Sequence, residues 1–191
     1  MNKTGLYFGS FNPIHIGHLI IANHLLEYSD LDKIWFVISP QNPLKKKANL
    51  LEDHHRLALV KIAIDDNPNF KASNIEFALP KPSYTINTLV YLEDKYPKQK
   101  FCLIMGEDNL QYFDKWKNYE QIIKNYAIYV YPRPNSKNLH FASHPNVNLI
   151  NAPLIEISAS FIRQAIKENK DIRYLLHPSV YKYIDEMNFY K

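Results

Sequence analysis

Two histidines three positions apart, His15 and His18, close the segment Gly9-Ser10-Phe11-Asn12-Pro13-Ile14-His15-Ile16-Gly17-His18. A short apolar run precedes the segment and a helical pattern follows it. At a helix start this spacing puts both imidazoles on one face, about 5–6 Å apart. They stand beside free backbone N–H groups at the positive end of the helix dipole. That combination suits a polyphosphate. An imidazole with a pKa near 6.5 can donate to phosphate oxygens and take up charge as a leaving group departs. Gly9 allows close backbone approach, and Ser10 and Asn12 offer short polar groups. The bland alternatives are a helix cap or a metal site. Zinc would need a third ligand, and the usual helical zinc pair is spaced i, i+4 around a Glu. His54 and His55 are adjacent, so their side chains are expected to diverge on a helix.

A second cluster lies far along the chain, in Glu156-Ile157-Ser158-Ala159-Ser160-Phe161-Ile162-Arg163. Ser158 or Ser160 can cap the helix that follows, leaving its amides and a hydroxyl for an anion. Arg163, one turn in, can present a fork to phosphate oxygens. Arginine is scarce here: of 23 basic residues only Arg56, Arg133, Arg163 and Arg173 are arginines. Each is therefore a candidate bidentate ligand.

Some framework must hold these groups. Leu6–Phe8, Ile34–Ile38, Phe101–Met105 and Ala127–Tyr131 are short continuous apolar runs, the pattern of parallel strands covered on both faces. Asn146–Ile150 reads as a fifth strand. Residues 17–28, 51–66, 84–95 and 118–125 carry apolar residues at helical spacing, and 159–168 and 179–188 read as closing helices. This alternation predicts an α/β fold: one Rossmann-like domain over residues 1–191, with a parallel five- or six-stranded sheet and helices on both faces. Ligands of such sheets bind beyond the carboxyl ends of the strands, where both histidines and Arg163 fall.

Composition bounds the chemistry. Of 191 residues only four are glycine, at 5, 9, 17 and 106, which excludes a Walker A loop and a G-x-G-x-x-G fingerprint. No apolar run approaches a membrane span, so no membrane partner is expected. The single Cys102 excludes an internal disulfide and fits a reducing cytoplasm. A net charge of +4 suits anionic ligands but is too mild to argue for nucleic acid.

The first segment resembles the nucleotidyltransferase superfamily signature G-[TS]-F-[DN]-P-x-H-x-G-H, and Ile157–Arg163 resembles its second element, I-S-S-T-x-I-R. Ala159 and Ser160 replace Ser and Thr there, and Asn12 replaces the commoner Asp. Between them, Pro82–Leu89 and Ile104-Met105-Gly106-Glu107-Asp108 with Phe113 and Trp116 resemble segments of nicotinate-mononucleotide adenylyltransferases. The resemblance implies transfer of AMP from ATP to nicotinate mononucleotide, with pyrophosphate released. It assigns Gly9, Ser10, Phe11, His15, His18, Asp108, Arg133, Ile157, Ser158 and Arg163 to ATP, with His15, His18 and Arg163 catalytic. It assigns Asn12, Lys45, Thr85 and Trp116 to the mononucleotide.

Asp108, just past a strand end, can accept from ribose hydroxyls. Trp116 offers a flat face to a pyridinium ring; on residue type alone it is equally a core aromatic, though flanking Lys115 and Lys117 favour a rim position. Arg56 matches a family arginine near the substrate and is equally read as a surface residue. Lys45–Lys47 are read as phosphate-reaching or as a solvated edge. Mg²⁺ is expected on the ATP phosphates, without a dedicated protein metal site. Nicotinamide mononucleotide or another phosphate acceptor, a non-catalytic nucleotide-binding relative and a homo-oligomeric assembly all stay open.

Overall fold

The apolar runs become parallel strands, and their alternating side chains feed two cores. The computed structural model describes residues 2–40, 50–134, 136 and 140–191. Among these residues the strands are β1 (Lys3–Gly9), β2 (Lys33–Ile38), β3 (Phe70–Ser73), β4 (Lys100–Gly106), β5 (Ile128–Tyr131) and β6 (Val147–Leu149). They form one sheet in the order β3-β2-β1-β4-β5-β6, parallel at every pairing. The helices are α1 (Ile16–Tyr28), α2 (Asp53–Ala63), α3 (Thr85–Lys95), the single turn α4 (Glu107–Leu110), α5 (Tyr119–Asn125), α6 (Ala159–Lys167) and α7 (Pro178–Glu186).

Period-two alternation assigns the faces. On β2, Ile34, Phe36 and Ile38 pack under α1, α2, α6 and α7, whereas Trp35 and Val37 pack under α3 and α5. On β4, Cys102 and Ile104 join the first core, and Phe101, Leu103 and Met105 the second. Strand order reverses between β1 and β4, which opens a crevice beyond their carboxyl ends.

The expected α/β class stands, with the sheet at six strands. The added strand, β3, is the edge strand Phe70-Lys71-Ala72-Ser73. It lacks a continuous apolar run because only one neighbour and one face need covering, and Lys71 lies outward with its ammonium 3.9 Å from the Trp35 ring centroid. Among the described residues no helix is long and apolar enough to cross a membrane.

Candidate active site

The end of the loop from β1 and the first turn of α1 carry the histidines. His15 is the N-cap of α1 with extended backbone, φ −143° and ψ 170°. Its ring therefore folds back instead of following the helical spiral, and the two imidazole centroids lie 3.8 Å apart, closer than the helical spacing predicts. The His15 backbone N–H donates to His18 Nδ1 at 3.2 Å. Nδ1 is thus the acceptor of the pair, and a neutral His18 carries its proton on Nε2. His15 is 5% exposed, and burial, with Arg133 nearby, lowers its pKa to about 4. It is neutral at pH 7, so the sequence expectation of an ordinary imidazole near 6.5 is corrected for this residue. The Phe11 ring packs 5.1 Å from His18, and a Cβ on Gly9 would stand 2.8 Å from that ring. Gly9 makes room for Phe11 first and for a ligand second.

Four distant groups brace this loop: Arg56, Arg163, the Leu51 N–H and the Tyr190 hydroxyl. Arg56, fully buried, donates to the carbonyls of Leu51 at 2.9 Å, Ser10 at 2.5 Å and Ser39 at 3.0 Å and pairs with Asp53. It is not a surface residue: its donors are spent on three main-chain carbonyls and on Asp53. Arg163 Nη1 donates to the Asn12 carbonyl at 2.7 Å, and Nη2 to Ser160 Oγ at 3.2 Å. The two signatures are thereby joined through a hydrogen bond spanning 151 positions. Ser158 is the N-cap of α6, its Oγ accepting from the Phe161 N–H at 3.2 Å. Asn12, expected at the mononucleotide, is 4% exposed, and its Oδ1 accepts from Leu51 N–H at 3.1 Å and Tyr190 O–H at 2.8 Å. It acts as an internal brace.

A narrow cleft of about 10 Å³ is lined by His15, Gly17, His18, Arg133, Ile155 and Ile157, with Tyr7 and Tyr131 as its wall. Arg133 follows β5. Its backbone N–H donates to Glu107 Oε2 at 3.0 Å, its guanidinium lies 5.3 Å over the Tyr131 ring, and Nε stands 3.6 Å from Asp108 Oδ1. A Cβ on Gly106 would collide with Asp108 Oδ1 and approach Arg133 Cγ to 3.0 Å, so only glycine lets the acid fold back beside the arginine. The Asp108 side chain stays 55% exposed, open to a ligand hydroxyl.

On the other side of the tyrosines lies a cavity of about 360 Å³, lined by Gly9, Ser10, Tyr84, Thr85, Trp116 and, at its mouth, Lys115 and Lys117. Tyr7 and Tyr131 face both hollows, and the Tyr7 O–H donates to Tyr131 Oη at 3.3 Å. Burial raises the pKa of both phenols, so this wall is uncharged. Trp116 is half-buried and leans on Phe113 at 5.5 Å; it is a lining residue and not a core one. Thr85, a lining residue of the cavity, is the first residue of α3.

The sequence reading missed Glu76, Ser39 and Ser83, which also line the cavity. Glu76 is 1% exposed and accepts from Thr88 Oγ1 at 2.8 Å, and burial raises its pKa against the hydroxyls of Thr88, Ser39 and Ser83. Its one sequence signal is an acid set between Ile75 and Phe77.

The structure thus gathers His15, His18, Arg133 and Ile157 in one hollow, and Gly9, Ser10, Thr85 and Trp116 in the other. Phe11, Asn12, Asp108, Ser158 and Arg163 line neither and stand behind or beside them. Lys45 lies outside the described residues. His54 and His55, expected to diverge, have ring centroids 4.0 Å apart, because His55 is held against Phe189 at 4.7 Å in the first turn of α2. Among the described residues no three His, Cys, Asp or Glu side chains are gathered to hold a metal ion.

A reversing parallel sheet with paired histidines on the first crossover and a serine-capped, arginine-bearing helix returning to it defines a nucleotidyltransferase, and the cytidylyltransferase-like family model matches residues 6–165. The chain is 59% identical over 191 residues to a probable nicotinate-nucleotide adenylyltransferase of Flavobacterium psychrophilum, covering 99% of each chain. It is 50% identical over 184 residues to the protein so named in Bacteroides thetaiotaomicron, covering 96% of this chain and 91% of that one. The chain belongs to the cytidylyltransferase-like family, among its nicotinate-nucleotide adenylyltransferases. Its fold is similar to that of Plasmodium falciparum nicotinic acid mononucleotide adenylyltransferase complexed with NaAD, with a TM-score of 0.84 at 24% identity over 100% of this chain and 98% of that one.

Proposed function

We propose that this chain transfers AMP from ATP to nicotinate mononucleotide, forming nicotinate adenine dinucleotide and pyrophosphate. The observation that carries the reading is the pair of hollows meeting at the Tyr7–Tyr131 wall, one rich in phosphate donors and one with a flat aromatic side and cationic mouth. The close relatives named for this activity support the same acceptor.

ATP would lie with its phosphates on His15, His18 and Arg133, its β and γ groups toward Ser158 and Arg163, and its ribose beside Asp108. The mononucleotide would enter the larger cavity, its pyridinium on Trp116 and its ring carboxylate on the amides around Thr85 and after Trp116. Lys115 and Lys117 would draw in the anionic acceptor. The acceptor's 5′-phosphate oxygen attacks the α-phosphorus in line; that O–P bond forms as the bond to the β-phosphate oxygen breaks. The nucleophile is already anionic at pH 7, so no general base is needed. Positioning and charge stabilisation carry the rate. His18, donating from Nε2, is assigned to the α-phosphate, and the His15 backbone N–H holds its ring in place through Nδ1 at 3.2 Å.

Residues 1–191 would act as one domain. Mg²⁺ would bind through the ATP phosphates, where it would offset the charge of the triphosphate and of departing pyrophosphate. The buried Cys102 thiol, its pKa pushed up to about 11, fits work in a reducing cytoplasm. Purified protein given ATP, Mg²⁺ and nicotinate mononucleotide should yield the dinucleotide and pyrophosphate one for one. Absence of the dinucleotide by mass spectrometry overturns the reading.

A further inference from the structure

We infer that Tyr190 is a positioning residue for this reaction: its hydroxyl fixes Asn12 and, through Asn12, the histidine-bearing loop and the Arg163 guanidinium. The inference rests on the function proposed above. Tyr190 lies beyond α7, 178 positions from Asn12, and its O–H donates to Asn12 Oδ1 at 2.8 Å. The same oxygen takes the Leu51 N–H at 3.1 Å, while the Asn12 main-chain carbonyl takes Arg163 Nη1 at 2.7 Å. Asn12 is therefore gripped by side chain and main chain together. It stands three residues before His15, and every residue from Phe11 to His15 is buried. A packed segment does not deform smoothly, so movement at Asn12 is passed on to His15.

The backbone around Tyr190 is shaped to make this contact. Asn188 and Tyr190 adopt φ of +52° and +66°, in the left-handed region that a bulky side chain avoids unless its surroundings hold it there. Between them Phe189 is anchored on His55 at 4.7 Å and on Tyr183 at 5.9 Å. The Tyr190 hydroxyl lies within reach of the charges of Arg163 and Arg56, the two arginines that brace the loop. Burial raises its pKa more than those charges lower it, so the hydroxyl keeps its proton and donates throughout the neutral range. Directionality separates this role from packing. A phenyl ring would fill the same space, and Asn12 Oδ1 would keep the Leu51 N–H, so loss of the hydroxyl orphans no buried acceptor.

Two variants test the inference against wild type. Tyr190→Phe is expected to lower kcat by about tenfold, since small misplacements at a reacting centre are costly in rate. Its melting temperature and its KM for nicotinate mononucleotide should barely move. Leu92→Ala, a truncation in the core under α3 on the other face of the sheet, is expected to lower the melting temperature and leave kcat alone. Wild-type kcat in Tyr190→Phe, or equal losses of kcat in both variants, overturns the inference.

If the wild-type protein makes no dinucleotide, the functional reading fails, and ATP affinity by calorimetry decides the role of Tyr190. Binding weakened by roughly threefold in Tyr190→Phe supports the inference, on the scale of one hydrogen bond. Unchanged binding, or no ATP binding by either protein, overturns it.

Discussion

The two hollows on either side of Tyr7 and Tyr131 are built in opposite ways. The histidine cleft is about 10 Å³, and its frame is tied down at the main chain: the His15 N–H to His18, the Arg133 N–H to Glu107 and, behind them, the Asn12 carbonyl to Arg163. The larger cavity is about 360 Å³ and is lined by half-buried Trp116 and by the exposed Lys115 and Lys117. Fixed donors that need no rearrangement favour a transition state over a ground state. A roomy cavity with one flat aromatic face and a cationic rim mainly sets which ligand enters and how tightly. Changes in the first hollow should therefore fall on kcat, and changes in the second on KM.

The sharpest way to break that division is at His18. His18→Ala should lower kcat by about 10²-fold or more, the usual cost of losing one transition-state donor, with KM for the mononucleotide nearly unchanged. A variant whose KM rises while kcat holds would show that His18 serves the acceptor. Pre-steady-state pyrophosphate release separates the two outcomes.

A smaller effect distinguishes the hollows by pH. The unfolded chain takes up a proton at His15 below its ordinary pKa of 6.5, whereas the folded chain resists until about pH 4. Stability from this group is whole above pH 6.5 and falls as the pH drops through that window, by about 2 kcal/mol near pH 5. Glu76, in the other hollow, runs the opposite way: its raised pKa makes the folded state the better proton holder, so its contribution declines as the pH rises above 4.5. Urea unfolding at pH 5 and pH 7 should therefore show a shallower acid loss in His15→Asn than in wild type. Parallel losses in the two proteins would mean that His15 is not buried neutral.

Much of this arrangement is legible in the residues, because strand ends and helix starts are local. The run Leu6–Phe8, the histidine spacing and the Ser158 cap each announce themselves within a few positions. Trp116 is legible as an aromatic but not as a lining residue; only flanking Lys115 and Lys117 hint at it. What escapes is long-range. Arg56 reads as a surface or substrate-side cation, yet it spends its donors on main-chain carbonyls up to 46 positions away. Tyr190 and Asn12 are 178 positions apart with no periodic signal between them. β3 escapes because an edge strand needs only part of its surface covered, and Lys71 breaks the apolar run. The His15 pKa is set by burial and by Arg133, neither of which spacing can show.

Tryptophan fluorescence tests the division of labour most directly. The chain has two tryptophans: Trp35, 4% exposed under α3, and Trp116 in the cavity wall. A non-hydrolysable ATP analogue alone should leave the emission unchanged, and nicotinate mononucleotide added next should quench it as the pyridinium stacks on Trp116. Quenching by the ATP analogue alone, or none on adding the mononucleotide, would contradict the assignment of the two hollows.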